Sequence, residues 1–283
     1  MPEAGLVSVD ALAVYRKMDI GTEKPSRPTD PASRHEWHLV DLADASEDFS
    51  VFSFQREARQ VLSGLHAASR PAILVGGTGL YHRAVVDDLE LPGRYPAVAD
   101  RLHAEAGAPG GARRLHARLR ELDPVAAGRM EPLNVRRVIR ALEVTEGSGR
   151  RFSDFGPGLE VYPPTETVMI GLSVERERLD ARLAERLAAQ VEEGFLDEVR
   201  ALTASPAGLS RTARQAIGYR ELLAYLEGTC SFSEALAEAL RRLRNFARRQ
   251  QAWFKRDPRI HWLEADRDDL VGAVVSRWET RAG

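Results

Sequence analysis

The chain of 283 residues holds a single cysteine, Cys230. A disulfide within the chain and a cysteine-built metal cluster are both excluded, and such sparing use of thiols fits a reducing compartment. An excess of charge of either sign is also lacking. Lys and Arg number 40 against 42 Asp and Glu, a formal net charge of -2. Without a global basic field, nucleic acid would have to be held by a local patch. No apolar run approaches the roughly 20 residues that span a bilayer, and no signal peptide is recognisable. A cytoplasmic protein without membrane contact is the expectation. Internal repeats, low-complexity segments and a Gly/Ser linker are missing too, so composition marks no domain boundary.

What is present alternates between strand-like and helix-like segments. Leu6-Val7-Ser8-Val9 is a short apolar run that stops at Asp10, the pattern of a buried parallel strand. Ligands of open α/β sheets bind beyond such carboxyl ends, which makes Asp10 either an acid of a site or the cap of the next turn. Glu23 to Arg34, rich in Pro, Ser and charge, reads as a surface loop, and Glu36 to Leu42 as a short strand or extended segment. Phe54, Ala58, Val61, Leu62 and Leu65 fall at helical spacing and predict a helix over about 51–68. Pro71 to Val75 reads as a second buried parallel strand, opening into Gly76-Gly77-Thr78-Gly79. A glycine turn there lets backbone N–H groups approach a phosphate closely. Its spacing nevertheless fails the dinucleotide pattern, and GxxxxGK(S/T) occurs nowhere in the chain.

From Pro92 to Pro164 charged helices dominate. Arg113, Arg114, His116, Arg118 and Arg120 decorate one, and Arg136, Arg137 and Arg140 another, whose apolar face is Val135, Val138, Ile139 and Leu142. Such charges are ordinarily a solvated face. Thr167 to Val174 is a third buried strand candidate. Helices are predicted over 175–204, from about Arg214 to Leu226 and over 232–254, then a strand at Ile260–Leu263 and a helix over 269–282. The alternation predicts an α/β parallel sheet with helical material inserted. One segment concentrates positive charge: Arg241, Arg242, Arg244, Arg248, Arg249, Lys255, Arg256 and Arg259 against Asp257, interleaved with Phe246, Trp253 and Phe254. It is either a phosphate-binding face or a solvated helix with aromatics in the core.

Several blocks together resemble the tRNA dimethylallyltransferases, also called tRNA isopentenyltransferases. They are Ser8 to Pro25, Val75 to Tyr81, Asp123 to Ala127 with Asn134 to Glu143, Ala216 to Leu222, and Arg249 to Phe254, in that order and over nearly the whole chain. The resemblance implies a P-loop-type α/β core of parallel strands with flanking helices (residues 1–95 and 165–283) and a mainly helical insertion (96–164). It implies transfer of a dimethylallyl group from dimethylallyl diphosphate to the exocyclic amine of the adenosine beside the tRNA anticodon. Mg2+ is the implied cofactor, with ligands that the sequence does not identify, and the implied state is a monomer. Asp10 matches the catalytic base and Arg220 the residue aimed at the diphosphate. Thr78, the stretch Asp10-Ala11-Leu12-Ala13 and Arg136-Arg137-Val138-Ile139-Arg140 match segments that touch tRNA. Arg244 and Arg248 of the basic helix join them as candidates by charge.

Members of that family begin with a strand and a GxxxxGK(S/T) loop, whereas this sequence starts at the second block. Either the start lies further upstream, or the chain is a non-catalytic tRNA-binding remnant. A missing core strand leaves apolar surface on its neighbour in water, at roughly 25 cal/mol per Å². Set against a net stability of about 5–15 kcal/mol, that loss is serious. The chain as written is therefore expected to be poorly soluble or partly molten, and a sharp, cooperative thermal transition at high temperature contradicts this.

Overall fold

The structure is a computed structural model that describes residues 4–25 and 36–282. Of the surface loop expected from Glu23 to Arg34, residues 26–34 lie outside the described residues. In chain order the elements begin with β1 (Gly5–Ser8), β2 (Trp37–His38), α1 (Val51–Ala67), β3 (Ala72–Val75) and α2 (Gly79–Val86). Then come α3 (Pro96–Gly107), α4 (Gly111–Leu122), α5 (Pro124–Gly128) and α6 (Val135–Ser148). The remainder holds β4 (Met169–Ser173), α7 (Arg176–Glu192), α8 (Phe195–Ala204), α9 (Arg211–Arg214), α10 (Tyr219–Leu226), α11 (Phe232–Phe254), β5 (Ile260–Glu264) and α12 (Leu270–Ala282). The chain divides into two compact units, residues 1–86 with 164–283, and residues 87–163.

In the first unit β1 lies between β2 and β3, parallel to both, with Leu6 opposite Ile73 and Val7 opposite Leu74. A separate parallel pair joins β4 to β5, with Met169 opposite Ile260. The α/β class with parallel strands and flanking helices is thus as expected. Full burial of the strands is not. Ile73 and Val75 are 37% and 45% exposed, and Leu172 is 52% exposed. Among the described residues no strand pairs with the far edge of β3 or of β4, and parallel strands become fully covered only between neighbours and helical layers.

Helix α1 starts where Ser50 Oγ accepts the Ser53 N–H at 3.2 Å. It buries Phe54 and Ala58, and Gln55 Nε2 donates to the Ala84 carbonyl of α2 at 2.6 Å. The core of this unit joins Val7, Val9, Tyr15, Met18 and Phe54 to Phe195, Val199, Tyr219 and Leu222. The helix predicted over 175–204 is two helices, because Gly194 turns left-handed at φ 102°. For the same reason α10 starts at Tyr219, after Gly218 at φ 88°. Among the described residues no helix is long and apolar enough to cross a membrane.

The second unit packs α3, α4, α5 and α6 around Leu102, Leu115, Leu119, Val138 and Leu142. His116, expected on a solvated face, is instead buried, with Nε2 near the carbonyls of Ala127 (3.2 Å) and Met130 (3.0 Å). The fully buried Asp123 carboxylate accepts from Ala126 N (2.9 Å), Ser153 N (2.8 Å) and Ser153 Oγ (2.8 Å). Removing it strands the buried Ala126 N–H and frees the half-buried Ser153, so Asp123→Ala should lower unfolding stability by about 2–3 kcal/mol. Urea melts of both proteins read the difference; a loss below about 1 kcal/mol rules the role out.

Candidate active site

The first unit builds its site where β1 and β3 end side by side. Their ladder continues past the strands: Val9 N donates to Val75 O at 2.8 Å, and Thr78 N to Val9 O at 3.3 Å. A Cβ at position 76 would collide with the Val9 carbonyl, so only glycine allows this approach. The Thr78 hydroxyl then accepts the Ala11 N–H at 3.1 Å, which brings two of the sequence-matched stretches together.

Asp10 follows β1 at this point. Its Oδ1 accepts from Leu12 N at 2.7 Å and Ala13 N at 3.1 Å. The turn-capping expectation is therefore met by one oxygen, and Oδ2 has no hydrogen-bond partner among the described residues. Ala13 is buried and Leu12 packs against the core, so what this stretch presents outward is mostly backbone and the Asp10 carboxylate. Burial, then the charges of Tyr15 and Asp10, hold the Tyr81 phenol well above its ordinary value, and it remains a protonated group stacked 4.3 Å from Phe54.

The C-terminal part of α11 clamps the glycine turn from outside. Gln250 Nε2 donates to the Gly77 carbonyl at 3.0 Å, and the Trp253 indole occupies the space that a side chain at Gly79 would need. His82 Nε2 donates to the Gly76 carbonyl at 3.0 Å, with its ring edge-on to Phe254 at 5.7 Å. Burial draws the His82 imidazole below its ordinary pKa, against the pull of that hydrogen bond. Gln250 lies in a matched block but carried no assigned role. His82 left no signal in the sequence, since an isolated histidine after a glycine turn has no motif.

Arg220 is the second residue of α10, exposed and without an ion-pair or hydrogen-bond partner among the described residues. It lines a cavity of about 360 Å³ with Glu221, Thr229, Glu234 and Glu238. Chiefly through its bond to Arg241, and more weakly through Arg242 and Arg220, Glu238 is held below the usual carboxylate range. The remaining candidates are dispersed. Arg136 and Arg137 lie exposed on α6 in the second unit, whereas Arg140 is engaged by Glu143 (2.9 Å) and the Pro92 carbonyl (2.8 Å). Val138 and Ile139, counted with them by resemblance, point into that unit's core at 1% and 3% exposure. These two side chains form the apolar stripe of the helix that packs the unit, and they face its core rather than solvent.

The basic segment is partly neutralised. Arg241 pairs with Glu238 (2.5 Å), Arg242 with Glu221 and Arg259 with Asp257 (2.6 Å), while Arg256 stands 4.8 Å over the Trp253 ring. Arg248 bonds Asn245. The Nε of Arg244 is buried without a partner among the described residues.

Comparison with known proteins bears on this arrangement. A family model described as IPP transferase matches residues 13–257. The tRNA dimethylallyltransferase of Thermobifida fusca is 45% identical over 269 residues, 95% of this chain and 82% of that protein. Its counterpart in Streptomyces coelicolor is 46% identical over 276 residues, 96% and 86% of the two chains. The crystal structure of the full-length tRNA isopentenylpyrophosphate transferase from Bacillus halodurans matches with a TM-score of 0.68 at 33% identity, over 99% of this chain and 90% of that one. A eukaryotic dimethylallyltransferase acting on tRNA, at 24% identity and a TM-score of 0.73, shares the fold.

The His82 contact has a pH signature. A histidine whose folded pKa is depressed binds its proton more readily when unfolded, so stability is full above the unfolded pKa of about 6.5 and declines as pH falls below it. Melting temperature should fall between pH 7 and pH 5.5, and fall less in His82→Gln. Equal slopes for the two proteins exclude the effect.

Proposed function

The chain belongs to the IPP transferase family, and we propose from this premise that it transfers a dimethylallyl group from dimethylallyl diphosphate to an adenosine of tRNA, at the exocyclic amine of the base beside the anticodon. The observation that carries the reading is Asp10: a carboxylate at the end of a parallel strand, oriented through one oxygen by two backbone N–H groups and free at the other. An aromatic amine is a poor nucleophile. A fixed carboxylate within hydrogen-bond reach strengthens it by taking its proton.

The reaction forms a bond from the amine nitrogen to the first carbon of the allylic group. It breaks the bond from that carbon to the diphosphate oxygen, whose electron pair leaves with the diphosphate, and the amine proton passes to Asp10 Oδ2. The departing charge calls for cations, and Arg220, exposed and unpaired among the described residues, has the chemistry to meet it. Thr78 is held to the Asp10 turn through Ala11 N, which supports a place for it beside the target nucleotide. The exposed Arg136 and Arg137 of α6, with Arg244 and Arg248 of α11, suit RNA phosphates. The base has to leave its stack to be modified.

Among the described residues no group of three or more His, Cys, Asp and Glu is placed to hold a metal ion. A magnesium ion accompanying the diphosphate would rest on phosphate oxygens and water. The protein acts as a monomer in the cytoplasm under this reading.

The test is incorporation of the dimethylallyl group into tRNA, read by mass spectrometry of digested nucleosides. Asp10→Asn should lower the rate by about 10²–10⁴-fold while leaving tRNA binding in place. Unchanged prenylation in that variant sinks the assignment. Salt-sensitive tRNA binding by the unmutated chain with no turnover selects the non-catalytic alternative instead.

A further inference from the structure

A carboxylate distant in sequence from every matched motif organises the segment that follows Asp10. Glu198, on α8, receives three successive backbone donors: Asp19 N at 2.7 Å and Ile20 N at 2.8 Å on Oε2, and Gly21 N at 3.2 Å on Oε1. The Tyr219 hydroxyl donates to the same Oε1 at 2.6 Å. Tyr219 is fully buried, and burial followed by the Glu198 charge holds its phenol above the ordinary value, so it stays a donor. Gly21 is confined between the Phe195 and Tyr219 rings, where any side chain would collide with both.

Two more grips complete the arrangement. Gln190 Nε2 donates to the Ile20 carbonyl at 2.8 Å. Lys24 Nζ, on a side chain only 6% exposed, reaches Tyr15 O and Asp41 Oδ1 at 2.6 Å and Asp19 Oδ1 at 2.5 Å. The segment that starts at the Asp10 turn is therefore held at its far end by α7 and α8. On the other side of the carboxylate, Tyr219 opens α10 and is followed directly by Arg220. Gly218 in turn is held by Glu221 through a 2.9 Å bond, and Glu221 pairs with Arg242. One carboxylate thus joins the segment led by Asp10 to the helix start that carries Arg220.

We propose that Glu198 is a positioning residue of the transfer site, acting through Tyr219 to set Arg220 against the Asp10 segment. A carboxylate suits this role where an amide does not. Both oxygens of a carboxylate accept, and four donors converge on them, whereas a glutamine offers one accepting oxygen and brings two donors of its own.

The proposal rests on the function proposed above, and the experiment separates the two. Steady-state prenylation is measured for the full chain, Glu198→Gln, Tyr219→Phe, Arg220→Ala and the Glu198→Gln/Arg220→Ala double variant, with thermal melts of each. Glu198→Gln should raise KM for dimethylallyl diphosphate about tenfold with KM for tRNA nearly unchanged, and Tyr219→Phe should shift it the same way by less. In the Arg220→Ala background the Glu198→Gln change should add less than about twofold, because the effect it transmits has been removed already. Additive effects, or equal losses toward both substrates, overturn the positioning role and leave Glu198 as a structural brace. If Glu198→Gln fails to fold, Tyr219→Phe with and without Arg220→Ala reads the same coupling. Absence of turnover in the unmutated chain refutes the proposed function itself, and the positioning role with it.

Discussion

The close approach of the Gly76 backbone to the Val9 carbonyl is the constraint on which the candidate site depends. It lets the hydrogen bonding between β1 and β3 run on into two irregular loops, first from Thr78 N to Val9 O and then from Ala11 N to the Thr78 hydroxyl. Each such bond is worth only about 1 kcal/mol in stability. Their value lies in register: they place the Asp10 turn beside the glycine turn and fix both against rigid strands. A side chain at position 76 would open that contact and release both loops together.

Charge follows a related logic. Nearly balanced overall, the chain commits part of its local excess of arginine to internal pairs. Glu238 takes Arg241, Glu221 takes Arg242, and Asp257 takes Arg259. The exposed Arg241–Glu238 pair adds little stability, whereas Glu221 and Asp257 are buried carboxylates that need their partners; all three pairs decide which cations remain for a ligand. Arg220 and Arg244 keep guanidinium groups without an ion-pair partner among the described residues, and they stand on two different helices. A reading that counts arginines along a segment overstates the field available to phosphate, because partners such as Glu221 lie far away in sequence.

Local signals were legible wherever they act over a few residues. The limits of α11 follow from its Ser231–Glu234 capping box and its amphipathic run. Those of α1 follow from Ser50 and the spacing of Phe54, Ala58 and Leu65. The break at Gly194 was missed, since a glycine inside a long amphipathic pattern is tolerated often enough to pass as helix. His116, Val138 and Ile139 show the complementary failure: which face of a helix is buried depends on what packs there, and the position of a charge or a motif does not report it. The apolar runs of β3 and β4 announced strands correctly, yet their exposure depends on neighbours that a single segment cannot specify.

The sequence by itself determined the class of the fold, most of the element order, the family, and the candidates Asp10, Thr78 and Arg220, because strand and helix periodicity and short motifs are local properties of the chain. Tertiary structure alone decided that Asp10 spends one oxygen on its own turn and keeps the other, and that α11 closes over the glycine turn through Gln250 and Trp253. It also decided that Glu198 gathers Asp19, Ile20, Gly21 and Tyr219. Those contacts join residues up to 179 positions apart. Hydrogen bonds act over about 3 Å, and only the folded chain brings such groups within that distance.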